Sequence, residues 1–499
     1  MMSNSKDAAA VETESIQDKA MSHRSENETS CSVNQLIDMK KEDTTDLTDM
    51  IKPDNPEAVS TSSKRLNRMR RRGRLHKRQI ESAAEGVDLK DGEVNNLKRQ
   101  KVDNEEDNLQ YHHAETDWYI ENGLRKVYPY QYTYLCYCKG RWKGKTILDV
   151  LNSEFMSSSL EFHTRQIENG GVKVNGKSIR PDYTLKGKNE LISNLVHRHE
   201  LPVTSQSIQI IANTDDYLAV NKPSSVPVHP CGRYRHNSLT FMLSRDHGFH
   251  NLRTLYRLDR LTSGLIIFGK NSTSTNVIMD QIKSRQVSKT YLCRVEGSFP
   301  EGKVECKEPL DKVHPKIGTW RVRDGGKQSH TIFERVNCNG TSSVVRCYPQ
   351  TGRTHQIRVH LQFLGHPILN DPLYNDDVWG PSKGKGGHYG KTDEELYHDL
   401  LELHSTKIFE DLVPDTGSES SSCVANPKHH DLIFNSKQDS ETHLLRLTPD
   451  PNCDFCLKKY QDPTPDKLTI YLHALSYKGD GWEFSTEEPD WAKENWSLQ

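Results

Sequence analysis

Long apolar runs are missing from this sequence of 499 residues. No segment approaches the roughly 20 consecutive apolar residues that a membrane-spanning helix requires, so we expect no membrane association. The opening residues, MMSNSKDAAAVETES, lack the basic-then-apolar order of a secretory signal and the Arg-rich, acid-poor composition of a transit peptide. These absences predict a soluble intracellular protein without a secretory or mitochondrial signal.

A regular cysteine pattern is also missing. The 11 cysteines are odd in number and scattered, which predicts free thiols rather than a disulfide framework. Cys453 and Cys456 form a C-x-x-C pair, but a structural zinc site needs four ligands, and no second pair stands at a suitable spacing. His443 or Cys423 would have to be recruited from a loop. We therefore favour two free thiols over a bound metal.

Hydrophobic residues are scarce, at 33% of the chain with a mean hydropathy of -0.81, so part of the chain is expected to enter no core. Residues 1–110 are rich in Ser, Thr, Asn, Asp, Glu and Lys, a composition typical of a disordered arm. Within this arm, residues 64–78 (KRLNRMRRRGRLHKR) hold nine Lys or Arg in fifteen positions and no acid. Such a run is typical of a nuclear import signal and of a phosphate-binding arm, and both remain open. As an import signal it predicts residence in nucleus and cytoplasm.

Residues 111–200 are expected to form a small domain. Tyr and Cys alternate with other residues from Tyr128 to Cys138, which predicts a strand whose aromatic face either stacks bases or packs on a core. Apolar residues from Ile147 to Phe155 follow helical spacing. Residues 162–176 (FHTRQIENGGVKVNG) then predict a helix, a Gly turn, a short strand and an Asn-Gly turn.

Residues 208–380 carry most of the strand-like apolar runs and are expected to form the core domain. Strands outnumber helices there, and the clear helical pattern, Ser274 to Arg285, lies between them. An α+β fold with a mixed, mainly antiparallel sheet therefore suits the segment better than a doubly wound parallel sheet. Residues 381–445 predict an inserted polar loop, and residues 446–485 a last strand, Leu468 to Tyr477, that completes the core.

Asp259 and Arg257 stand two residues apart, so on a strand they would share a face just before a Thr-Ser-Gly turn. A buried Arg-Asp pair that holds a turn is the common explanation for such a pattern, and the pair alone does not identify a catalytic site.

Four motifs in series change this interpretation. They are the Lys-Pro loop in YLAVNKPSSVPVHP (217–230), RLDRLTSGL (257–265), KTY (289–291), and PQTGRTHQIRVHLQFLGHPILNDPLY (349–374). Their order and spacing resemble the RluA-type RNA pseudouridine synthases, in the eukaryotic branch of that family. Tyr256 departs from the pattern, since many members have His there.

The resemblance implies roles for single residues. Asp259 matches the catalytic aspartate, Arg257 the arginine that fills the space left by a flipped base, Tyr291 the tyrosine packed against the target uracil, and Arg358 the basic residue paired with the aspartate. It also implies a pseudouridine synthase catalytic domain, an RNA substrate, tRNA first and mRNA second, and no metal or other cofactor.

A further resemblance concerns residues 111–200. The helix followed by GVKVNG is similar to the small ribosomal-protein-S4-like RNA-binding domain that precedes the catalytic domain in many of these enzymes. It implies RNA contacts from Arg165 and Lys173. We also expect RNA contacts from Lys222 and Arg353 in the motifs.

The chemistry fits these assignments. Uridine isomerisation breaks the N-glycosidic bond and joins carbon 5 of the trapped uracil to the same sugar carbon, so the reaction needs a water-poor pocket. Asp259 could attack the anomeric carbon or remove a neighbouring proton, and the sequence does not choose between the two. The alternatives are a non-catalytic RNA-binding or chaperone protein on the same fold and a nucleoside glycosidase. A lone carboxylate argues against the glycosidase, which usually employs two.

Overall fold

The computed structural model describes residues 115–155, 159–315, 317–406, 413–414, 432–435, 437–451, 453–457 and 460–496. The predicted disordered arm and its basic run at 64–78 lie outside the described residues. Among the described helices, none combines the length and the apolarity needed to cross a membrane.

The described elements alternate between strands and helices. The strands are β1 Trp118–Glu121, β2 Leu124–Val127, β3 Tyr130–Tyr137, β4 Val172–Val174, β5 Lys177–Ser178, β6 Leu191–Arg198, β7 Val203–Thr204, β8 Gln209–Asn213, β9 Tyr217–Lys222, β10 Arg253–Thr254, β11 Ser263–Gly269, β12 Ser288–Glu296, β13 Lys303–Cys306, β14 Leu310–Lys312, β15 Trp320–Val322, β16 Thr331–Cys338, β17 Ser342–Pro349, β18 Val413–Pro414, β19 Ile433–Phe434, β20 Tyr460–Gln461, β21 Leu472–Gly479 and β22 Trp482–Ser485. The helices are α1 Ile147–Glu154, α2 Leu160–Glu168, α3 Leu239–His247, α4 Ser272–Lys283, α5 Gln356–Phe363, α6 Asp393–Thr406, α7 Lys437–Arg446 and α8 Asp454–Leu457.

A ten-stranded sheet is built from strands between Gln209 and Ser485. Its main order is β13-β16-β17-β12-β21-β11-β9-β8, with β10 paired to β11 and β22 to β21. β11 and β21 run parallel, and the other described pairs of this sheet are antiparallel. The expected α+β fold with a mixed, mainly antiparallel sheet is thus confirmed for the catalytic domain.

Two hydrophobic clusters pack on the halves of this sheet and meet at β21. Leu265, Ile266, Ile267 and Phe268 of β11 are fully buried, as expected of a central strand covered on both faces. They belong to one cluster together with Ala474, whereas Leu472 belongs to a second cluster around β12, β17 and α5. β21 therefore joins the two halves, and the loop before β11 lies next to the junction.

The segment before the catalytic sheet has a hydrophobic cluster of its own, which includes Ile147, Leu151, Ile167 and Val172. It packs α1 and α2 on a four-stranded sheet of order β3-β6-β4-β5. Thr146 and Ser159 begin the two helices by accepting hydrogen bonds from the backbone N–H groups of Asp149 and Phe162. Helix, turn and short strand follow the order predicted from the sequence.

The tyrosines of β3 make their described contacts within the protein. Arg198 lies over the rings of Tyr132 and Tyr134, at 5.0 and 5.4 Å, and Arg235 lies over Tyr132 at 5.0 Å. Tyr130 donates a 2.8 Å hydrogen bond to Glu200. These contacts favour a packed aromatic face over a base-stacking one.

The segment predicted as an inserted polar loop contains a helix, so this prediction needs correction. Leu396, Leu400 and Leu403 recur at intervals of four and three, lie on one face of α6, and are buried beside Trp379. Polar residues between them mask this spacing in the sequence. The last core strand is also shifted, from the predicted Leu468–Tyr477 to Leu472–Gly479.

Candidate active site

The motif residues of the catalytic domain converge on one cavity. A cavity of about 580 Å³ is lined by Arg257, Asp259, Tyr291, Arg353 and Arg358, which come from three of the four motifs. Its volume lies in the range typical of small-molecule sites. The three motifs, distant in the chain, therefore line the same cavity.

Asp259 and Arg257 lie in the loop before β11, not on a strand as predicted. Arg257 is exposed, and its guanidinium makes no hydrogen bond within the described part of the chain. Ser263 and Gly264 begin β11 rather than closing a turn. A Cβ at Gly264 would lie 2.3 Å from the backbone oxygen of Ala474, and its φ is +109°, so glycine is required for β11 to approach β21.

Arg358 lies in the first turn of α5 and contacts Asp259. Its Nη1 donates a 3.2 Å hydrogen bond to Oδ2 of Asp259, while Nε and Nη2 donate bonds of 2.6 and 2.8 Å to the carboxylate of Asp371. Asp371 is fully buried and also accepts backbone hydrogen bonds from Leu373 and Tyr374. The bidentate pair fixes the guanidinium plane, which fixes the position of Asp259.

The cations around Asp259 keep it ionised. Burial by itself would raise the pKa of Asp259, but the positive charges of His355, Arg358 and Arg257 and the Arg358 hydrogen bond lower it below its ordinary value. His355 contributes charge only when protonated, and burial lowers the pKa of its imidazole to about 4. At neutral pH the two arginines therefore stabilise the carboxylate.

His355 is a cavity residue that the sequence analysis did not single out, although it stands within the T-H-Q-I-R motif. Its Nε2 lies 3.7 Å from Oδ2 of Asp259, and its Nδ1 lies 2.8 Å from the hydroxyl of Tyr374. Its φ of +56° reverses the chain directly before α5. That backbone conformation aims the imidazole into the cavity, and no side-chain pattern reveals it.

Aromatic rings also line the cavity, from Tyr256, Tyr291 and Tyr477. The hydroxyls of Tyr291 and Tyr477 are hydrogen-bonded, and the rings of Tyr477 and Tyr256 stack with centroids 4.8 Å apart. Burial raises the pKa of Tyr291 to about 12, so this phenol stays neutral. Tyr256, which departs from the family pattern, thus packs against Tyr477, and Tyr477 in turn contacts Tyr291.

The cavity is strongly basic. Its lining holds six Lys or Arg side chains but one carboxylate, Asp259; the six are Arg257, Lys283, Arg285, Lys289, Arg353 and Arg358. Such a surface attracts phosphate groups. None of Lys283, Arg285 and Lys289 was predicted as a site residue, although Lys289 lies in the K-T-Y motif. The end of α4 and the start of β12 bring the three to the cavity.

The four residues expected to contact RNA lie in different surroundings. Arg353 lines the cavity, whereas Arg165 and Lys173 are exposed on the preceding small unit. Lys222 departs from the expectation: it is fully buried, and its ammonium donates to the carbonyls of Pro223, Val226 and Arg260 at 2.8, 2.8 and 3.1 Å. It holds the Lys-Pro loop together and presents no charge to RNA.

One group of side chains among the described residues could hold a metal ion, and it lies outside the cavity. His197 and His199 face Cys453 and Cys456. The expectation that the C-x-x-C pair lacks a partner pair is corrected, because an H-x-H pair at the end of β6 is brought beside it by folding. His443 is elsewhere, 3.0 Å from the hydroxyl of Tyr128.

Comparison with known proteins identifies the family to which the chain is related. A sequence model of the family described as RNA pseudouridylate synthase matches residues 216–363. The chain is 44% identical over 416 residues to the human pseudouridylate synthase RPUSD2, covering 77% of this chain and 76% of that protein. It is 39% identical over 387 residues to the Saccharomyces cerevisiae mitochondrial tRNA pseudouridine(32) synthase, covering 75% and 78%. To the Escherichia coli ribosomal large subunit pseudouridine synthase C it is 30% identical over 245 residues, covering 47% and 77%.

Proposed function

The chain belongs to the RluA-type RNA pseudouridine synthases and is an isomerase that acts on RNA; we propose that its substrate is tRNA and that Asp259 is its catalytic carboxylate. Two yeast relatives are named as tRNA pseudouridine synthases, which supports tRNA ahead of mRNA. A non-catalytic RNA-binding role on the same fold is the alternative.

One observation carries the proposal for Asp259. Asp259 is the one carboxylate in the lining of the basic cavity. It accepts a hydrogen bond from Arg358, whose guanidinium is fixed by a buried bidentate pair with Asp371. A carboxylate held in this way is ionised and oriented before substrate arrives. A carboxylate that only stabilises the fold would not need to face a cavity, whereas Asp259 lines one.

The reaction needs that ionised oxygen. The bond between uracil N1 and the sugar carbon breaks, the base turns, and C5 bonds to the same carbon. C5 then loses a proton and N1 gains one, so atoms and charge balance. Asp259 acts on the sugar, by attack on the anomeric carbon or by removal of an adjacent proton, and both routes require the carboxylate form.

Arg257 and Tyr291 act on the nucleotide rather than on the bond. A uridine in paired RNA must leave the stack to reach a recessed carboxylate, and the exposed Arg257 guanidinium is free to fill the vacancy. Tyr291 offers a ring face to the uracil, with Tyr477 and Tyr256 behind it. The enclosing rings also keep water from the detached base.

RNA outside the reacting nucleotide is held by charge. The basic lining of the cavity, Arg353 included, faces the phosphates next to the target. We extend the contact surface to the small unit, which we propose to be a ribosomal-protein-S4-like domain, through the exposed Arg165 and Lys173. Each of these contacts is sequence-independent, so target choice depends on the shape of the RNA.

The deciding experiment maps pseudouridine in tRNA and mRNA from cells that lack the protein and from cells rescued with the wild type, Asp259→Asn or Asp490→Asn. Asp490 is an exposed carboxylate far from the cavity, with a side chain 89% accessible, and serves as the matched control. We expect tRNA sites to vanish without the protein and to return with wild type and Asp490→Asn but not with Asp259→Asn.

Each other outcome has a definite meaning. If Asp259→Asn restores the pseudouridines, Asp259 is not the catalytic residue. If pseudouridines are lost from mRNA alone, the substrate is mRNA rather than tRNA. If no site depends on the protein, the non-catalytic role replaces the proposal.

We also propose that residues 64–78 direct the protein to the nucleus. Replacing Arg70, Arg71 and Arg72 by Ala should shift a tagged full-length chain from nucleus to cytoplasm, whereas replacing Lys40 and Lys41 in the same arm should not. An unchanged distribution leaves the phosphate-binding role for this run. Accumulation in mitochondria, as the name of the yeast relative describes for that protein, would contradict the proposal.

A further inference from the structure

A cluster of two imidazoles and two thiols lies apart from the active site, between the small unit and the segment after the insertion. We propose that His197, His199, Cys453 and Cys456 bind one Zn²⁺ ion as a structural site. Their ligand atoms all lie within 4.8 Å of one another. Four such groups make a complete tetrahedral set for zinc.

Local structure brings the side chains of the histidine pair together, and likewise those of the cysteine pair. His197 lies near the end of β6, and His199 follows two residues later, so the two imidazoles leave the strand on the same side. Arg198 between them points the other way, toward the rings of β3. Cys453 stands directly before the short helix α8, and Cys456 lies within it, so one turn brings the two thiols together.

The separations match a metal site. Sγ of Cys456 lies 3.2 Å from Nδ1 of His197 and 3.3 Å from Nε2 of His199, and Sγ of Cys453 lies 3.4 Å from the same Nε2. Zn–S and Zn–N bonds of about 2.3 and 2.0–2.1 Å at tetrahedral angles place S and N about 3.5 Å apart. A single thiol-imidazole hydrogen bond would account for one of these contacts but not for all three.

The chemistry of the ligands selects the ion. Two thiolates with two neutral imidazoles are typical of zinc and exclude calcium and magnesium, which take oxygen ligands. With four protein ligands no position is left for water or substrate, so the site is structural rather than catalytic. Binding converts two thiols to thiolates and releases two protons to solvent, and the charge of the ion is balanced by the two sulfurs.

The surroundings support an ordered site. Cys453 is buried, and the ring of Phe455 between the two cysteines lies against His199, with centroids 5.9 Å apart, and under Arg233 at 4.7 Å. Asp454 pairs with Arg165 at 2.7 Å. These contacts hold α8 against the small unit even before the metal is considered.

The proposed ion would close a very long loop. His199 and Cys453 are 254 residues apart, and eight of the ten strands of the large sheet lie between them in the chain. A cross-link over so many residues removes conformational freedom from the unfolded chain much as a disulfide does, but remains available where thiols stay reduced. The site would therefore fasten the segment that leads into β21 to the small unit at the start of the fold.

The test is metal analysis of the purified full-length protein. We expect one zinc per chain in the wild type and in Cys338→Ser, which alters an exposed cysteine outside the cluster, and less than a tenth of that in the Cys453→Ser/Cys456→Ser double variant. Replacing zinc by Co²⁺ should produce the visible bands of a tetrahedral site and a thiolate-to-cobalt band in the near ultraviolet.

A ligand exchange keeps the proposal testable if the double variant does not fold. His199→Cys retains four ligands but raises the number of thiolates from two to three, so the thiolate-to-cobalt band should grow about 1.5-fold. Absence of zinc from the wild type, together with failure to take up added Zn²⁺ or Co²⁺, would overturn the site in favour of hydrogen-bonded thiols and imidazoles. A double variant that holds as much zinc as Cys338→Ser would overturn it equally.

Discussion

The polar cluster around Asp259 and the cluster of two imidazoles and two thiols differ in what completes them. Asp259 already faces an opposite charge, because Arg358 divides its guanidinium between Asp259 and Asp371. At His197, His199, Cys453 and Cys456 the facing atoms are all lone-pair donors to a cation. The first cluster is complete with protein atoms alone and is ready to act on a substrate, whereas the second is completed by an ion.

Removing the central cation of the first cluster should have the largest effect. In Arg358→Met the buried Asp371 loses its partner and Asp259 loses its orientation, so we expect the free energy of unfolding to fall by about 3–5 kcal/mol. Pseudouridine formation should fall to background. Chemical denaturation and a tRNA modification assay measure the two effects, and Arg346→Met, which alters a partly exposed ion pair, is the matched control. Equal stability of the two variants would show that the network is not held by charge.

Removing the ion from the second cluster should act locally. After chelation we expect amide hydrogen exchange in β6 and α8 to become at least about tenfold faster, which corresponds to a local loss of about 1.4 kcal/mol, while α5 is unaffected. Hydrogen exchange read by mass spectrometry compares both regions in one sample. Faster exchange in α5 as well would show that the two clusters form one cooperative unit.

Acid should destabilise the active-site region through His355. Its folded pKa of about 4 lies below the ordinary value of 6.5, so between these values the unfolded chain binds a proton that the folded chain does not. The contribution of the neutral His355 to stability is complete above pH 6.5 and is lost as the pH falls toward 4. At pH 5 the loss relative to neutral pH is on the order of 1–2 kcal/mol. Denaturation of wild type and His355→Gln at pH 7 and pH 5 checks this, because the variant should lose less stability than the wild type. An equal loss would assign the effect to other groups.

The smallest effect should follow from Tyr291→Phe. The ring that faces the cavity is kept and the hydrogen bond to Tyr477 is lost, so we expect a loss of about 1 kcal/mol in stability and an activity within about tenfold of wild type. Tyr291→Ala removes the ring as well and should lose far more activity. If the two variants are equally impaired, the hydroxyl rather than the ring face is what the reaction needs.

The sequence predicted the parts of the site that lie in contiguous motifs. Asp259, Tyr291 and Arg358 do share one cavity, and α1 and α4 form close to where apolar spacing predicted them. Their roles in catalysis stay predictions. Membership of the pseudouridine synthases, inferred from four motifs, is confirmed by the relatives.

What the sequence did not reveal depends on distant contacts or on backbone conformation. His355 reaches Asp259 because its φ is positive, and Asp371 matters because it packs against Arg358. His197 and His199 lie outside every motif found in the sequence, and only folding brings them to the C-x-x-C pair. Lys222 looked like an RNA contact because burial of a lysine is rare, yet three carbonyls satisfy its ammonium in the interior.

The central position of β21 has a consequence for how the chain is made. Ser263 on β11 pairs with His473 on β21, 210 residues later, and β21 separates β11 from β12 along the sheet. As the chain leaves the ribosome, β11 and β12 each keep an unpaired edge until β21 emerges and pairs with both. A message truncated before β21 would thus yield two unjoined half-sheets prone to aggregation rather than a weaker enzyme.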